Sequence, residues 1–208
     1  MLNVNHNALT RFGLLRHART EWNLQKRIQG QKDSPVAPEG EKQAGKWGNI
    51  LEPFGWDRIL SSDIGRALKT AELINETLGI PIHTEPGLRE MDWGLWSGKT
   101  MAQLRQESPR LLAEQEANGW RFCPPGGEVL ETVWQRSRQV LLEAIGKWPG
   151  EQILVITHEG VIKGLLYRFN SHQILRNEPH RMHPWHLHLL VYSRQELHLE
   201  KINALNLE

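Results

Sequence analysis

Cysteine is almost missing: Cys123 is the single thiol in 208 residues. That excludes an intrachain disulfide framework and fits a reducing compartment. Cys123 precedes Pro124-Pro125 in a loop-like stretch, poor support for a nucleophile. Net charge is also scarce, at +1, with no basic stripe to suit a polyanion or nucleic-acid partner. No apolar run approaches membrane-spanning length, and the opening residues lack the basic-then-apolar order of a secretory signal. No internal repeat, low-complexity tract or interdomain linker is visible. The expectation is a cytoplasmic protein of one domain over residues 1–208, with no nucleic-acid or membrane partner.

What is present is an alternation of strand and helix patterns. An apolar strand at 11–15 ends in Arg16-His17, and a polar loop follows to about Val36. Pro38-Glu39 opens a helix, with Pro in its first turn and an acid at the positive dipole end; its apolar face is Ala44, Trp47, Gly48 and Leu51. A strand over 57–60 runs into Ser61-Ser62-Asp63, which offers N-cap residues to a helix faced by Ile64, Ala67, Leu68, Ala71, Ile74 and Leu78 and stopped at Gly79. A strand over 80–84 comes next. Residues 92–125 break the rhythm with helical patterns near 100–106 and 109–117, and are expected to form a lid carrying specificity. A long helix over 128–148, a strand ending at His158, a helix over 160–169 and a terminal hairpin complete the pattern. The rhythm predicts an α/β fold, a three-layer α/β/α sandwich with a mostly parallel central sheet.

Two strands deliver histidines to their C-terminal tips, where open α/β sheets build sites. Arg16 and His17 end the first strand, and His158 ends the one over 153–157. Arg66 lies in the first turn of its helix, where free N–H groups and a guanidinium together suit an anion. Glu90 follows Leu88-Arg89 just after a strand. Imidazole can attack phosphorus and guanidinium can grip its oxygens. Taken alone, each of these residues also fits a plain structural role.

Together, and in order, they resemble the histidine phosphatase superfamily, the phosphoglycerate mutase-like family. The matching segments are Arg16-His17-Ala18-Arg19-Thr20-Glu21-Trp22-Asn23, Arg27-Ile28-Gln29-Gly30, Asp33-Ser34-Pro35, Ser61-Ser62-Asp63 with Arg66-Ala67 and Thr70-Ala71, Leu88-Arg89-Glu90 with Trp93-Gly94-Leu95-Trp96-Ser97-Gly98, Pro125-Gly126-Gly127-Glu128, and Val155-Ile156-Thr157-His158. The resemblance implies that His17 becomes phosphohistidine, its second ring nitrogen donating to a nearby carbonyl. Arg16, Arg66 and His158 would hold the phosphoryl oxygens, with Asn23 and the Gln29-Gly30 backbone adding donors. Glu90 would protonate the leaving alkoxide and then activate water. No cofactor is called for, because guanidinium and imidazolium groups supply the positive charge.

Several positions depart from the family pattern. Ala18 replaces a usual glycine and is expected to adopt an ordinary φ. Glu159 follows His158 where small residues are usual; it must point away from the phosphate or bind a cationic part of a substrate. Val129 stands where related phosphatases often carry serine. Met91, Trp93 and Gly160 occupy places where mutases carry arginine, tyrosine and asparagine. These changes favour hydrolysis, as in small broad-specificity and α-ribazole phosphatase-like members, acting on a small phosphorylated metabolite. A mutase, or a weakly active phospho-ligand binding or scaffold protein, stays as an alternative, and a homodimer is left open. Trp93 and Trp96 read either as core or as the wall of a leaving-group pocket. The late histidines His180, His183, His186 and His188 invite a metal reading, but match no known signature. They are assigned instead to the strand entry, rimming the phosphate pocket or a subunit contact.

Overall fold

A computed structural model describes residues 9–169 and 182–208. The elements run β1 (Thr10–Arg16), α1 (Glu21–Leu24), α2 (Pro38–Leu51), β2 (Arg58–Ser61), α3 (Gly65–Leu78), β3 (Ile82–Thr84), α4 (Met101–Glu107), α5 (Pro109–Ala117), α6 (Leu130–Lys147), β4 (Gln152–Thr157), α7 (Glu159–Phe169), β5 (His186–Ser193) and β6 (Glu196–Asn206). The six strands make one sheet in the order β3-β2-β4-β1-β5-β6. The first four in that order are mutually parallel, and β5 and β6 close the far edge antiparallel.

Alternation along the strands feeds two cores. Phe12 and Leu14 of β1 pack with Leu60 and Val155 beneath Val133, Leu141 and Leu165 of α6 and α7. Leu15 packs on the other face with Ile59, Leu154 and Ile156 beneath Trp47, Leu51, Ala71 and Ile74 of α2 and α3. Helices therefore cover both faces, giving the three-layer sandwich. Ile153, Leu154, Val155 and Ile156 are all fully buried, as expected for an interior parallel strand whose two faces are both covered. Among the described residues no helix is long and apolar enough to cross a membrane.

Three local readings need correction. The loop from 18 to 36 contains the short helix α1, closed by a capping box between Thr20 and Asn23. The strand expected over 80–84 starts at Ile82: Pro81 O accepts the Ile59 N–H at 2.9 Å, but Pro81 has no N–H to carry the ladder further. Ser61-Ser62-Asp63 does not supply the N-cap of α3. The cap position is Ile64, which makes no side-chain cap bond. A carboxylate from another loop serves instead: Asp33 Oδ1 accepts the Arg66 N–H at 3.3 Å.

Within residues 92–125 the two expected helices are present as α4 and α5. Trp96, Leu104 and Leu112 bury against one another as a small separate core. The terminal hairpin turns through Arg194 and Gln195, both at positive φ (51° and 67°), the twist that tight antiparallel turns prefer. β6 runs further than expected, to Asn206, with irregular register near Leu189.

Candidate active site

Sheet order gathers the site. β4 lies between β1 and β2, so the tips of these three parallel strands sit side by side although they are far apart in sequence. His17 follows β1, Ser62 follows β2 and His158 follows β4. The His17 N–H donates to Thr157 O at 2.9 Å, continuing the β1–β4 ladder past the last paired residue. The two imidazole centroids are 5.2 Å apart.

His17 is 2% exposed, and both its ring nitrogens are engaged. Nδ1 lies 2.7 Å from Ala18 O, so it must carry the proton and donate. Nε2 accepts from Arg66 Nε at 3.2 Å, so it presents a lone pair. Burial pushes the His17 pKa well below 6.5, and Arg16 and Arg66 push it the same way. The ring is therefore a neutral imidazole with its reactive nitrogen facing a cation. Ala18 is buried, avoids the left-handed region and donates its N–H to Thr70 Oγ1 at 3.0 Å. Its Cβ is accommodated as expected.

His158 is fully buried, and its Nε2 is 2.8 Å from Ser62 Oγ. Ser62 Oγ also accepts the Ile64 N–H at 3.3 Å and keeps both a hydroxyl proton and a second lone pair for His158 Nε2. His158 Nδ1 is buried with no protein partner, and it carries the ring proton in the tautomer in which Ser62 donates. Burial, then Arg66, pushes the His158 pKa well below 6.5. A buried N–H without an acceptor is costly unless a ligand supplies one.

Arg66 is 1% exposed. Besides meeting His17, its fork donates to Gly30 O at 2.7 Å, to Lys32 O at 2.8 Å and to Asp33 Oδ1 at 3.4 Å. It thus ties the 30–33 loop to His17. Arg16 holds Glu159 Oε2 at 2.7 Å through Nη1, while its buried Nε has no protein partner. Glu90 Oε1 accepts the Met91 N–H at 2.8 Å, and Oε2 accepts the Gly160 N–H at 3.2 Å. The five residues His17, Glu90, Arg16, Arg66 and His158 are brought to one end of the sheet.

The additional residues divide. Gln29 is 7% exposed, and its side-chain Oε1, an acceptor, is buried without a partner, which supplies no donor of the kind expected there. Gly30 adopts φ 56° and turns its carbonyl to Arg66, an acceptor role where a donor was expected. Asn23 is engaged locally: its Oδ1 accepts from both Thr20 N and Thr20 Oγ1 at 3.1 Å, leaving only Nδ2 for a ligand. Glu159 turns to Arg16 and also to Lys163. Met91 is core, at 2% exposed, and Trp96 is core at 3%; Trp93 is half-buried and packs on Phe122.

The metal reading of the late histidines finds no support. Among the described residues no group of three or more His, Cys, Asp or Glu is placed to hold an ion; His180 lies outside the described residues. His188 Nδ1 accepts the Asn203 N–H at 3.1 Å, and His186 Nδ1 donates to Pro184 O at 2.9 Å. Sequence reasoning missed Ser62, Asp33 and Lys163. Ser62 and Asp33 stood in quoted motifs, but their partners are more than 30 residues away. The i, i+4 spacing of Glu159 and Lys163 was a usable signal.

Comparison with known proteins gives the family and the fold. Residues 12–205 match the model of the histidine phosphatase superfamily (branch 1), and the chain belongs to that family. It is an enzyme of the histidine phosphatase type. It is 32% identical over 158 residues to "Uncharacterized phosphatase PhoE" of Bacillus subtilis (strain 168), covering 76% of each chain. It is 35% identical over 156 residues to "Probable phosphoglycerate mutase GpmB" of Salmonella paratyphi B, covering 74% of this chain and 71% of that one. Among solved structures, Bacillus stearothermophilus YhfR superposes with a TM-score of 0.84 at 30% identity, over 95% of this chain and 98% of the other.

Proposed function

We propose that this protein hydrolyses small phosphomonoesters through a phosphohistidine on His17. The observation that carries the reading is the His17 ring: its proton is fixed on Nδ1 by Ala18 O, and its bare Nε2 faces the Arg66 guanidinium. In the first step Nε2 attacks phosphorus and the ester P–O bond breaks. The leaving alkoxide takes a proton from the Glu90 carboxyl. In the second step Glu90 takes a proton from water as its oxygen attacks phosphorus. The P–N bond breaks, and phosphate and neutral His17 are released.

The unpartnered atoms support this assignment. Arg16 Nε is a buried donor without an acceptor, His158 Nδ1 is buried and unpartnered and donates in the tautomer in which Ser62 supplies the proton to Nε2, and Arg66 Nε can pass from His17 to a phosphoryl oxygen. Donors already in place where charge develops stabilise the transition state without reorganisation. Residues 92–125, carrying Trp93, are the segment proposed to select the leaving group. Similarity to a protein named a phosphoglycerate mutase favours a second reading, transfer between hydroxyls of a phosphoglycerate. Two positions speak against it. Met91 is buried in the core and cannot reach a substrate carboxylate, and Gly160 presents no side chain.

The test is hydrolysis of p-nitrophenyl phosphate in EDTA, with rapid quenching to trap phosphoenzyme. Turnover that survives chelation, with an acid-labile, base-stable phosphoryl group lost in His17→Ala, is expected. Silence on a broad phosphoester panel while vanadate still binds overturns the reading in favour of a phospho-ligand binder. Dependence on a bisphosphoglycerate overturns it in favour of a mutase.

A further inference from the structure

The loop carrying Glu90 is gripped from behind by one ion pair. Arg136, on α6, spreads its guanidinium over four acceptors. Nε donates to Glu128 Oε1 at 2.8 Å, and Nη2 to Glu128 Oε2 at 2.9 Å. Nη1 donates to Gly87 O at 2.8 Å, and Nη2 also to Glu90 O at 3.1 Å. Glu128 closes the far side of the same loop. Its N–H donates to Asp92 O at 2.9 Å, and its Oε2 accepts the Asp92 N–H at 3.4 Å. Both side chains are largely buried, at 21% and 16% exposed. The backbone is therefore pinned at residues 87, 90 and 92, on both sides of the carboxylate.

We propose that Glu128 and Arg136 are positioning residues for Glu90, fixing its carboxyl within reach of the leaving oxygen. The proposal rests on the reading of Glu90 as proton donor. Two physical facts carry it. Proton transfer depends steeply on donor placement, since a displacement of about 1 Å costs on the order of a hundredfold in rate. A planar fork meeting a bidentate carboxylate and two carbonyls defines one loop conformation, which a flexible ammonium cannot do. Arg136 also contributes charge, since it helps hold the His158 pKa down. Lysine keeps that charge and loses the fork, so Arg136→Lys separates geometry from field.

The experiment measures kcat and KM of Arg136→Lys and Glu128→Gln on p-nitrophenyl phosphate, whose leaving group needs no proton, and on glycerol 2-phosphate, whose leaving group does. Glu90→Gln is the benchmark. Expected is a loss in kcat/KM, which reports the phosphorylation step alone, of about tenfold or more on glycerol 2-phosphate and below about threefold on p-nitrophenyl phosphate, whose kcat falls further with a burst because Glu90 also activates water in the shared second step. Glu90→Gln/Arg136→Lys should be no worse on glycerol 2-phosphate than Glu90→Gln alone, because residues acting as a unit are not additive. Equal losses on the two esters, or multiplied losses in the double variant, overturn the proposal. A contrast in Glu90→Gln that the clamp variants fail to reproduce overturns the clamp alone. No contrast in Glu90→Gln removes the proton-donor reading and the clamp with it. Thermal melting checks folding of each variant, and if Arg136→Lys does not fold, the near-isosteric Glu128→Gln carries the same comparison.

Discussion

Glu159 Oε2 lies 2.7 Å from Arg16 Nη1, so a carboxylate holds one of the cations assigned to the phosphoryl group. Its other oxygen is taken by Lys163, one turn further along α7. The grip uses the Nη1 end of the fork and leaves the buried Nε clear. Glu159 is thus arranged to aim Arg16, with Lys163 offsetting its charge. Glu159→Gln removes a repulsion that is already neutralised and partly solvated, worth well under about 1 kcal/mol, and it frees a guanidinium that must be in place when substrate arrives. The expected result is a several-fold rise in KM for phosphomonoesters and weaker inhibition by inorganic phosphate. A fall in KM would show that Glu159 competes with the substrate for Arg16.

The acid limb of stability should be steeper than carboxylates alone explain. His17 and His158 are held neutral well below 6.5, and His188 is lowered to about 4, first by burial and then by His186 and His183. Each of these folded-state values lies below the unfolded one. Between the two values the unfolded chain binds more protons, so stability is complete above about pH 6.5 and is lost as pH falls toward the folded value. One such group contributes a slope of up to about 1.4 kcal/mol per pH unit. Urea unfolding at pH 7, 6 and 5 measures it. In His188→Gln the slope between pH 6 and 5 should drop by close to one proton, and an unchanged slope would remove His188 from the account.

The same lowered value predicts a flat rate profile. His17 does not need to lose a proton at neutral pH, so kcat/KM should show no acid limb near 6.5 from the nucleophile. A pH–rate profile on p-nitrophenyl phosphate, corrected for substrate ionisation, checks this. A limb centred at 6.5 that disappears on moving to phosphoenzyme hydrolysis would mean that His17 is protonated in the free enzyme.

Much of this site was legible because the residues that matter sit where local pattern is strongest. Arg16-His17 and Thr157-His158 end apolar runs, and a run that stops at a charged or imidazole residue marks a strand tip without any knowledge of the fold. Glu90 and Arg66 were readable from their segments. Less legible was anything set by sheet order. That β4 slots between β1 and β2 is a consequence of burying the most apolar strand deepest, and it alone makes Ser62 a partner of His158. Ser61-Ser62-Asp63 was read as a cap because capping is local, whereas the carboxylate at α3 comes from Asp33 across the pocket. Asn23 failed in the opposite direction: a residue expected to face a ligand is absorbed by its own capping box.

Glu90→Gln should separate substrates by leaving group. The variant keeps its side-chain shape but has no proton to give. Alkyl phosphates should lose about a hundredfold or more in kcat/KM, which reports the phosphorylation step, and p-nitrophenyl phosphate much less. Water activation also passes through Glu90, so the nitrophenyl ester should accumulate phosphoenzyme, visible as a burst of nitrophenolate. Equal losses without a burst would remove Glu90 from both steps.

Gly160 sets how close α7 can come to Glu90. Its N–H donates to Glu90 Oε2 at 3.2 Å, and a Cβ built there would fall 2.3 Å from Glu90 Oε1. Any side chain at this position must displace the carboxylate or the first turn of α7. The asparagine that mutases of the resembling family carry therefore cannot be grafted here alone. Gly160→Asn should lower kcat on alkyl phosphates by about a hundredfold, the scale expected for a displacement near 1 Å, without creating transfer between the hydroxyls of phosphoglycerate. Assays for released phosphate and for isomerised phosphoglycerate distinguish the outcomes. Retained hydrolysis would mean that Glu90 has room to step aside and still deliver its proton. New isomerase activity would mean that the acceptor choice, water or sugar-acid hydroxyl, is decided at this one residue.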